Sequence, residues 1–221
     1  MRPMRLTGYG PSVYTRAVRI ALHELLCPYD WRACDPFEEE GRRGLLPLNP
    51  FGRVPILECG DATNGAVTIY ETRAILAYLS ATFGRTQTDA LSAARIAQVQ
   101  GIADSHGYWP LVRDVYSHGF FRPAMGEPAD PGRIAHGLAA ASPVLDALDA
   151  IAEEGRVLAG HDSASDTNPA DWHLFPMIDA FQTVPDGSDL LSLRPRLARW
   201  HAAFAARESA RATLWQPEAG T

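Results

Sequence analysis

The stretch from Arg53 to Arg73 constrains this chain more than any other. Two short runs of strand-forming residues, Val54-Pro-Ile-Leu-Glu-Cys59 and Ala66-Val-Thr-Ile-Tyr70, flank the turn-rich Gly60-Asp-Ala-Thr-Asn-Gly65, which predicts a hairpin. Thr72, Ile75, Leu76, Leu79 and Phe83 then repeat at helical spacing, so a helix starts where the second strand stops and ends near Gly84. Proline cannot donate to a strand ladder, so Pro55 implies an edge, a bulge or a cis bond at the first strand's mouth. Val54 beside it is then available to hydrogen-bond an extended, peptide-like ligand through its backbone, as a neighbouring strand would. At the strand-to-helix junction, Glu71 and Thr72 offer free amides and a hydroxyl to a carboxylate. Singly these features are commonplace. In this order and spacing they suit a small peptide.

Upstream, Met4 to Gly8 reads as a strand and Tyr9-Gly-Pro-Ser12 as a turn. Val18, Ala21, Leu22 and Leu25 give the next helix an apolar face, and Pro28 stops it. Tyr29, Trp31 and Ala33 alternate with Asp30, Arg32 and Cys34, the pattern of a half-buried strand. Strand, helix, strand predicts a right-handed βαβ unit. Asp35 to Leu48 is expected to hold a loop and a short irregular helix carrying Arg42 and Arg43.

Beyond Gly84 no strand pattern appears, and the polar run Arg85-Thr-Gln-Thr-Asp89 marks an expected domain boundary. A helix is predicted from Ala90 to about His106, with Gly107, Pro110 and Gly119 arguing for a kink or break beyond it. A loop is expected from Phe121-Arg-Pro to Asp130-Pro-Gly132. Leu138, Ala141, Leu145, Leu148 and Ile151 make the inward seam of a bundle helix. Asn168 as N-cap, Pro169 at the first helical position and Asp171 near the positive end predict another helix, bent at Pro176. Leu197, Trp200, His201 and Phe204 mark a last helix behind Pro195, and Ala210 to Thr221 reads as a loose tail.

At 221 residues, 46% hydrophobic and 21% charged, the chain has the composition of an ordinary globular protein with room for two cores. Its net charge of -6 argues against nucleic-acid binding. The N-terminus lacks the apolar core of a secretory signal, and no run approaches the ~20 apolar residues of a membrane span. Three cysteines, Cys27, Cys34 and Cys59, without C-x-x-C spacing, fit neither a disulfide framework nor a zinc site, and suggest a reducing cytoplasm. The seven histidines form no cluster at ligand spacing. His161-Asp162 and His173 are read as surface or capping groups, and no metal is expected.

Asn49-Pro-Phe-Gly-Arg-Val-Pro-Ile-Leu57 followed by Tyr70-Glu-Thr-Arg-Ala-Ile-Leu-Ala-Tyr-Leu79 resembles the glutathione-site half of the soluble glutathione transferases, specifically a serine-type, bacterial-like member. The Ala-Asp helix start at Ala170-Asp171, with a proline after it, carries the likeness into the second half. The resemblance implies a thioredoxin-like βαβ-ββα domain over residues 1–84 and an all-helical domain over 90–221. It implies a cytoplasmic, homodimeric transferase that joins glutathione, as co-substrate, to an electrophilic small molecule, without nucleic acid, membrane or metal. Other glutathione-dependent reactions (isomerisation, dehalogenation, ether cleavage, peroxide reduction) and a non-catalytic binding role share this scaffold. By resemblance, Glu71 and Thr72 meet the γ-glutamyl end, Val54 beside Pro55 pairs with the cysteinyl backbone, Arg53 stands where relatives carry glutamine or lysine, and Arg42 or Arg43 reaches the glycyl carboxylate. Tyr9, Pro11, Tyr14, Tyr108, Trp109 and Tyr116 are expected around the acceptor pocket, and Arg73 with the helices after Thr72 and Ala90 at the dimer contact.

The resemblance also gives Ser12 the thiol-activating hydroxyl, although an N-cap serine at that point needs no such role. Tyr9, where tyrosine-type relatives carry their hydroxyl, and Tyr14, within a turn of Ser12, compete for it. The task itself has a size. Lowering a thiol pKa from ~8.5 to about 6.5 needs ~2.7 kcal/mol of preferential thiolate stabilisation. A helix N-terminus contributes ~0.3–1 kcal/mol, and a hydroxyl donating to the thiolate adds ~1.5–3 kcal/mol. A hydroxyl donor is therefore needed, while a general base and the three cysteines are dispensable.

Overall fold

The computed structural model describes residues 4–61, 65–84, 88–159 and 167–216. The hairpin tip at 62–64, the expected boundary at 85–87, His161-Asp162 and residues 217–221 lie outside the described residues.

Strand β1 (Met4–Gly8) runs parallel to β2 (Tyr29–Ala33), with α1 (Val13–Glu24) as the crossover. After the short α2 (Glu39–Leu45) come β3 (Ile56–Asp61) and β4 (Gly65–Tyr70), antiparallel to their neighbours, in a sheet of order β2-β1-β3-β4. The hairpin, the βαβ unit and α3 (Thr72–Phe83) follow the sequence reading. Strand β2 does not bury alternate residues as expected: Trp31 is 41% exposed, and the strand is open to solvent along most of its length. It is the edge strand, and its tryptophan is covered by the guanidinium of Arg19, 5.2 Å from the ring centroid, rather than by core.

The rest of the chain is helical. Helix α4 (Ala90–Ile102) does not break at Gly107 or Pro110 but continues into a π-helical segment, Ala103–Phe121, with Pro110 inside it. Proline has no N–H to give, so an α-helix would lose a bond there, whereas a change to wider winding redistributes the backbone bonds. A short turn, α5 (Arg122–Ala124), precedes α6 (Pro131–Glu153). Helix α6 begins inside the expected loop, because Asp130 caps it by accepting from Arg133 N at 3.1 Å and Pro131 opens it. Among the described residues α6 is the one helix long and apolar enough, by length and composition, to cross a membrane. Its seam residues Ala141, Leu145, Leu148 and Ile151 are buried in the helical core.

Helix α7 (Pro169–Gln182) holds the molecule together, packing against α1 and α3 on one side and α4, the π-helix, α8 (Pro185–Ser192) and α9 (Pro195–Ala205) on the other. Every residue from Pro169 to Ile178 is buried, as expected of a helix enclosed on all sides. It runs unbroken through Pro176. The Asn168 cap is present as a full capping box with Asp171, whose other oxygen accepts from the buried Trp200 Nε1 at 2.8 Å. His173 is not a surface group: it is fully buried on α7. Its Nε2 lies 3.0 Å from Asp104 Oδ1, at an ion-pair distance but in a geometry too bent for a good hydrogen bond. Helix α10 (Glu208–Ala212) replaces the first part of the expected loose tail, with Ser209, Ala210 and Thr213 buried.

Two carboxylates tie α1 to the far end of the chain. Glu24 accepts from Arg207 at 2.7 and 2.9 Å, from Thr167 at 3.0 Å and from Ser209. Asp179 accepts from Arg16 at 2.6 Å and pairs with His201 Nε2 at 2.9 Å. Burial by itself would raise both carboxyls, but hydrogen bonds from Arg207 and Ser209 to Glu24, and from His201 together with the Arg16 charge on Asp179, outweigh it and hold both below their ordinary values. With folded pKa values depressed, the unfolded chain binds more protons in the acid range. The stabilisation is therefore complete above the unfolded values, about 4, and is lost as pH falls through the folded ones. Melting temperatures taken from pH 7 to pH 3 are expected to drop below about pH 4, and the double variant Glu24→Gln, Asp179→Asn should be less stable at pH 7 with a flatter acid limb. An unchanged limb would place the acid-sensitive groups elsewhere.

Candidate active site

Strand register decides which loops meet. Thr7 lies opposite Ile56, and Ile56 opposite Tyr70, so the end of β1, the start of β3 and the end of β4 share one edge of the sheet. Ser12, Val54-Pro55 and Glu71-Thr72, which span some sixty residues of sequence, thus come to one edge.

Ser12 caps α1, its Oγ accepting from Thr15 N at 3.2 Å. That bond uses a lone pair and leaves the hydroxyl proton to be donated elsewhere. Tyr14 differs. Its hydroxyl is hydrogen-bonded to Asp104, and burial first, then the charge of Asp104, pushes its pKa far above the usual phenol range. Its single proton is retained and committed. Tyr9 packs edge-on against Phe37 with ring centroids 5.8 Å apart, and burial followed by the Asp35 charge raises its hydroxyl as well.

Val54 precedes the first paired residue of β3, and the Val54-Pro55 bond is cis, one of the alternatives read from the sequence. The loop before it is built by Asn49, a residue whose role was not read from the sequence. Asn49 is 2% exposed, donates Nδ2 to Arg53 O at 2.9 Å and accepts from Phe51 N at 3.1 Å, while its carbonyl takes Gly52 N at 2.9 Å. Gly52 adopts φ +59°, and a Cβ there would stand 3.2 Å from Arg42 Cγ, so the Arg42 stem runs along this loop. The available signal was Asn-Pro followed by Gly, a turn dipeptide and a residue suited to positive φ. Replacing Asn49 by Ala strands the Arg53 carbonyl and the Phe51 amide. We expect a stability loss of about 1–3 kcal/mol by denaturant titration, and a weaker affinity for any ligand gripped by Val54.

Glu71 is the backbone cap of α3 and sits at φ +70°, a conformation that costs a non-glycine residue about 1–3 kcal/mol and concentrates at functional sites. Its side chain is exposed and makes no cap bond, so the first amides of α3 remain available, with the Thr72 side chain buried beneath. Arg42, Arg43 and Arg53 are all exposed, Arg42 and Arg43 on α2 and Arg53 in the loop.

Beside Ser12 opens a cavity of about 400 Å³. Gly10, Pro11 and Val13 form its near wall, Tyr116 and Phe120 of the π-helix one side, and Arg16 with Asp179 part of its lining. Burial pushes the Tyr116 hydroxyl up to about 12, so it remains a neutral wall. Of the expected pocket residues, Pro11 and Tyr116 line this cavity. Tyr14 and Tyr108 instead pack together, with centroids 5.0 Å apart, beside His173, and Trp109 is 59% exposed. Trp215, from the expected loose tail, lines it too. A larger cavity, about 560 Å³, lies between α3 and α4 and is lined mostly by small residues, away from this edge. Cys27, Cys34 and Cys59 are all free thiols.

Comparison with known proteins places this mixed four-stranded sheet and the helical half that follows it among glutathione S-transferase folds. Residues 6–87 match the family model "Glutathione S-transferase, N-terminal domain". Over 218 residues the chain is 28% identical to glutathione S-transferase F6 of Arabidopsis thaliana, covering 97% of this chain and 100% of that protein. It is 27% identical to glutathione S-transferase 3 of Zea mays, covering 97% and 94%. A solved glutathione S-transferase III superposes with a TM-score of 0.77 over 99% of both chains at 24% identity, and a glutathione S-transferase-I bound to lactoylglutathione with 0.79 over 96% and 98% at 20%. Residues 6–87 thus match a glutathione S-transferase N-terminal domain, and the chain as a whole shares the fold of these solved transferases. The two relatives compared over the full sequence are plant proteins, so the serine-type, bacterial-like subtype expected from the sequence is not supported by them.

Proposed function

We propose that this protein is a serine-type glutathione transferase that joins the thiol of glutathione to an electrophilic, largely apolar small molecule. The observation that carries this reading is the meeting of Ser12, Val54 and the α3 N-terminus on one sheet edge beside a 400 Å³ cavity. In this reading Glu71 attracts the γ-glutamyl ammonium, and Thr72 with the α3 amides takes its carboxylate. Val54 pairs with the cysteinyl backbone, which lays the sulfur toward Ser12. Arg42, Arg43 and Arg53 supply positive charge for the glycyl carboxylate. Ser12 donates its free proton to the sulfur and keeps it as thiolate. The thiolate then forms a carbon–sulfur bond as the leaving group departs with the bonding pair, the thiol proton having gone to solvent. Positioning and thiol activation supply the catalysis.

We assign residues 1–84 to the glutathione-binding domain and 90–221 to the helical domain. The chain acts in the cytoplasm, where its free thiols stay reduced, and as a homodimer through the exposed small residues of α3 and α4 with Arg73. Equilibrium glutathione binding followed by turnover of an electrophile panel tests the reading. Millimolar affinity or better with conjugate formation is expected; binding without turnover would leave a binding protein, and no binding at millimolar glutathione would end the proposal.

A further inference from the structure

We propose that Trp215 is a specificity-determining residue of the acceptor pocket, and that it favours planar aromatic electrophiles over small non-aromatic ones. This rests on the transferase reading above. Trp215 is partly buried and lies against the backbone of Gly10, where a Cβ would meet its Cδ1 at 3.1 Å, two residues before Ser12. Its ring centroid is 5.5 Å from Phe121, which is 6.4 Å from Tyr116, which stacks on Phe120 at 5.6 Å and 23°. Trp215, Tyr116 and Phe120 all line the cavity, so its wall is a run of ring faces and edges beginning next to the cap of α1. Such surfaces prefer offset or edge-on contact with another ring.

The tryptophan is held in place rather than draped there. Arg16 Nη2 donates to Ala210 O at 3.1 Å and Arg19 Nη2 to Ala212 O at 3.4 Å, while Thr213 Oγ1 donates to Ser209 O at 2.8 Å. Arg16 is in turn pinned by Asp179 at 2.6 Å. Arg16 lies one turn along the helix that Ser12 caps, so the thiol-activating hydroxyl and the aromatic wall are both positioned from α1. On this proposal a small electrophile reaches the sulfur without using that wall, whereas a ring packs on it.

The test compares 1-chloro-2,4-dinitrobenzene, from which glutathione displaces chloride, with iodoacetamide, from which it displaces iodide. In Trp215→Ala, KM for the dinitrobenzene should rise ~3–10-fold, the scale of a lost aromatic pair, with kcat, KM for glutathione and iodoacetamide turnover little changed. Trp215→Phe should restore most of it. Equal losses for both electrophiles, or no change for either, would overturn the proposal while leaving the transferase reading intact. A wild type that conjugates neither would overturn both.

Discussion

Ser12→Ala is expected to raise the pKa of enzyme-bound glutathione by about one to two units, equivalent to ~1.4–2.7 kcal/mol of lost thiolate stabilisation. The geometry makes the result diagnostic. Ser12 Oγ accepts from Thr15 N and keeps its proton free, whereas the Tyr14 hydroxyl is bonded to Asp104. If Ser12 only caps α1, the substitution costs ~0.5–2 kcal/mol of stability and leaves the thiol untouched. If it also donates to sulfur, ultraviolet titration of the saturated enzyme shifts upward, and turnover falls roughly five- to fifty-fold near pH 6.5, with the deficit shrinking as pH passes the free-thiol value. Glutathione affinity should change less, because the contacts proposed for Val54, Glu71 and Thr72 lie away from sulfur. An unshifted titration in Ser12→Ala beside a raised one in Tyr9→Phe would transfer the role to Tyr9.

Asp171→Ala is expected to be the most destabilising single change considered. This carboxylate is wholly buried, accepts from Asn168 N at 3.0 Å and Asn168 Nδ2 at 2.6 Å, and takes Trp200 Nε1 at 2.8 Å on its other oxygen. Its removal undoes the capping box of the most enclosed helix, about 1–2 kcal/mol, and leaves the buried indole N–H of Trp200 unpaired, about 1–3 kcal/mol. The sum, roughly 2–5 kcal/mol, corresponds to a drop in Tm of about 5–20 °C for a protein of this size. Asn168→Ala, which removes only one side of the box, should cost ~1 kcal/mol. Equal effects of the two variants in calorimetry would mean that the Trp200 bond contributes nothing.

The hairpin, the β4–α3 junction and the Ser12 and Asn168 caps were legible in the sequence because each is decided by residues within a few positions of one another. A proline without a donor, a cap serine and an apolar period act on their own neighbourhood. The gathering of Ser12, Val54 and Glu71 was legible only through the family resemblance, since strand register brings them together. Other features carried no local signal at all. The exposure of β2 depends on its being the edge strand, and the burial of His173 on α7 being enclosed on every side. The π-helical passage through Pro110 depends on neighbours that keep one continuous helix from Ala90 to Phe121. Asn49 looked like any loop residue until its side chain closed the turn before Pro55. Trp215 looked like part of a loose tail until Arg16 and Arg19 held the carbonyls before it. The sequence by itself determined the strands, the hairpin, the start of α3 and the caps of α1 and α7. Tertiary structure alone decided which faces are covered and which residues wall the pocket, because burial and pairing are set by packing between segments far apart in the chain, and no local pattern encodes that contact.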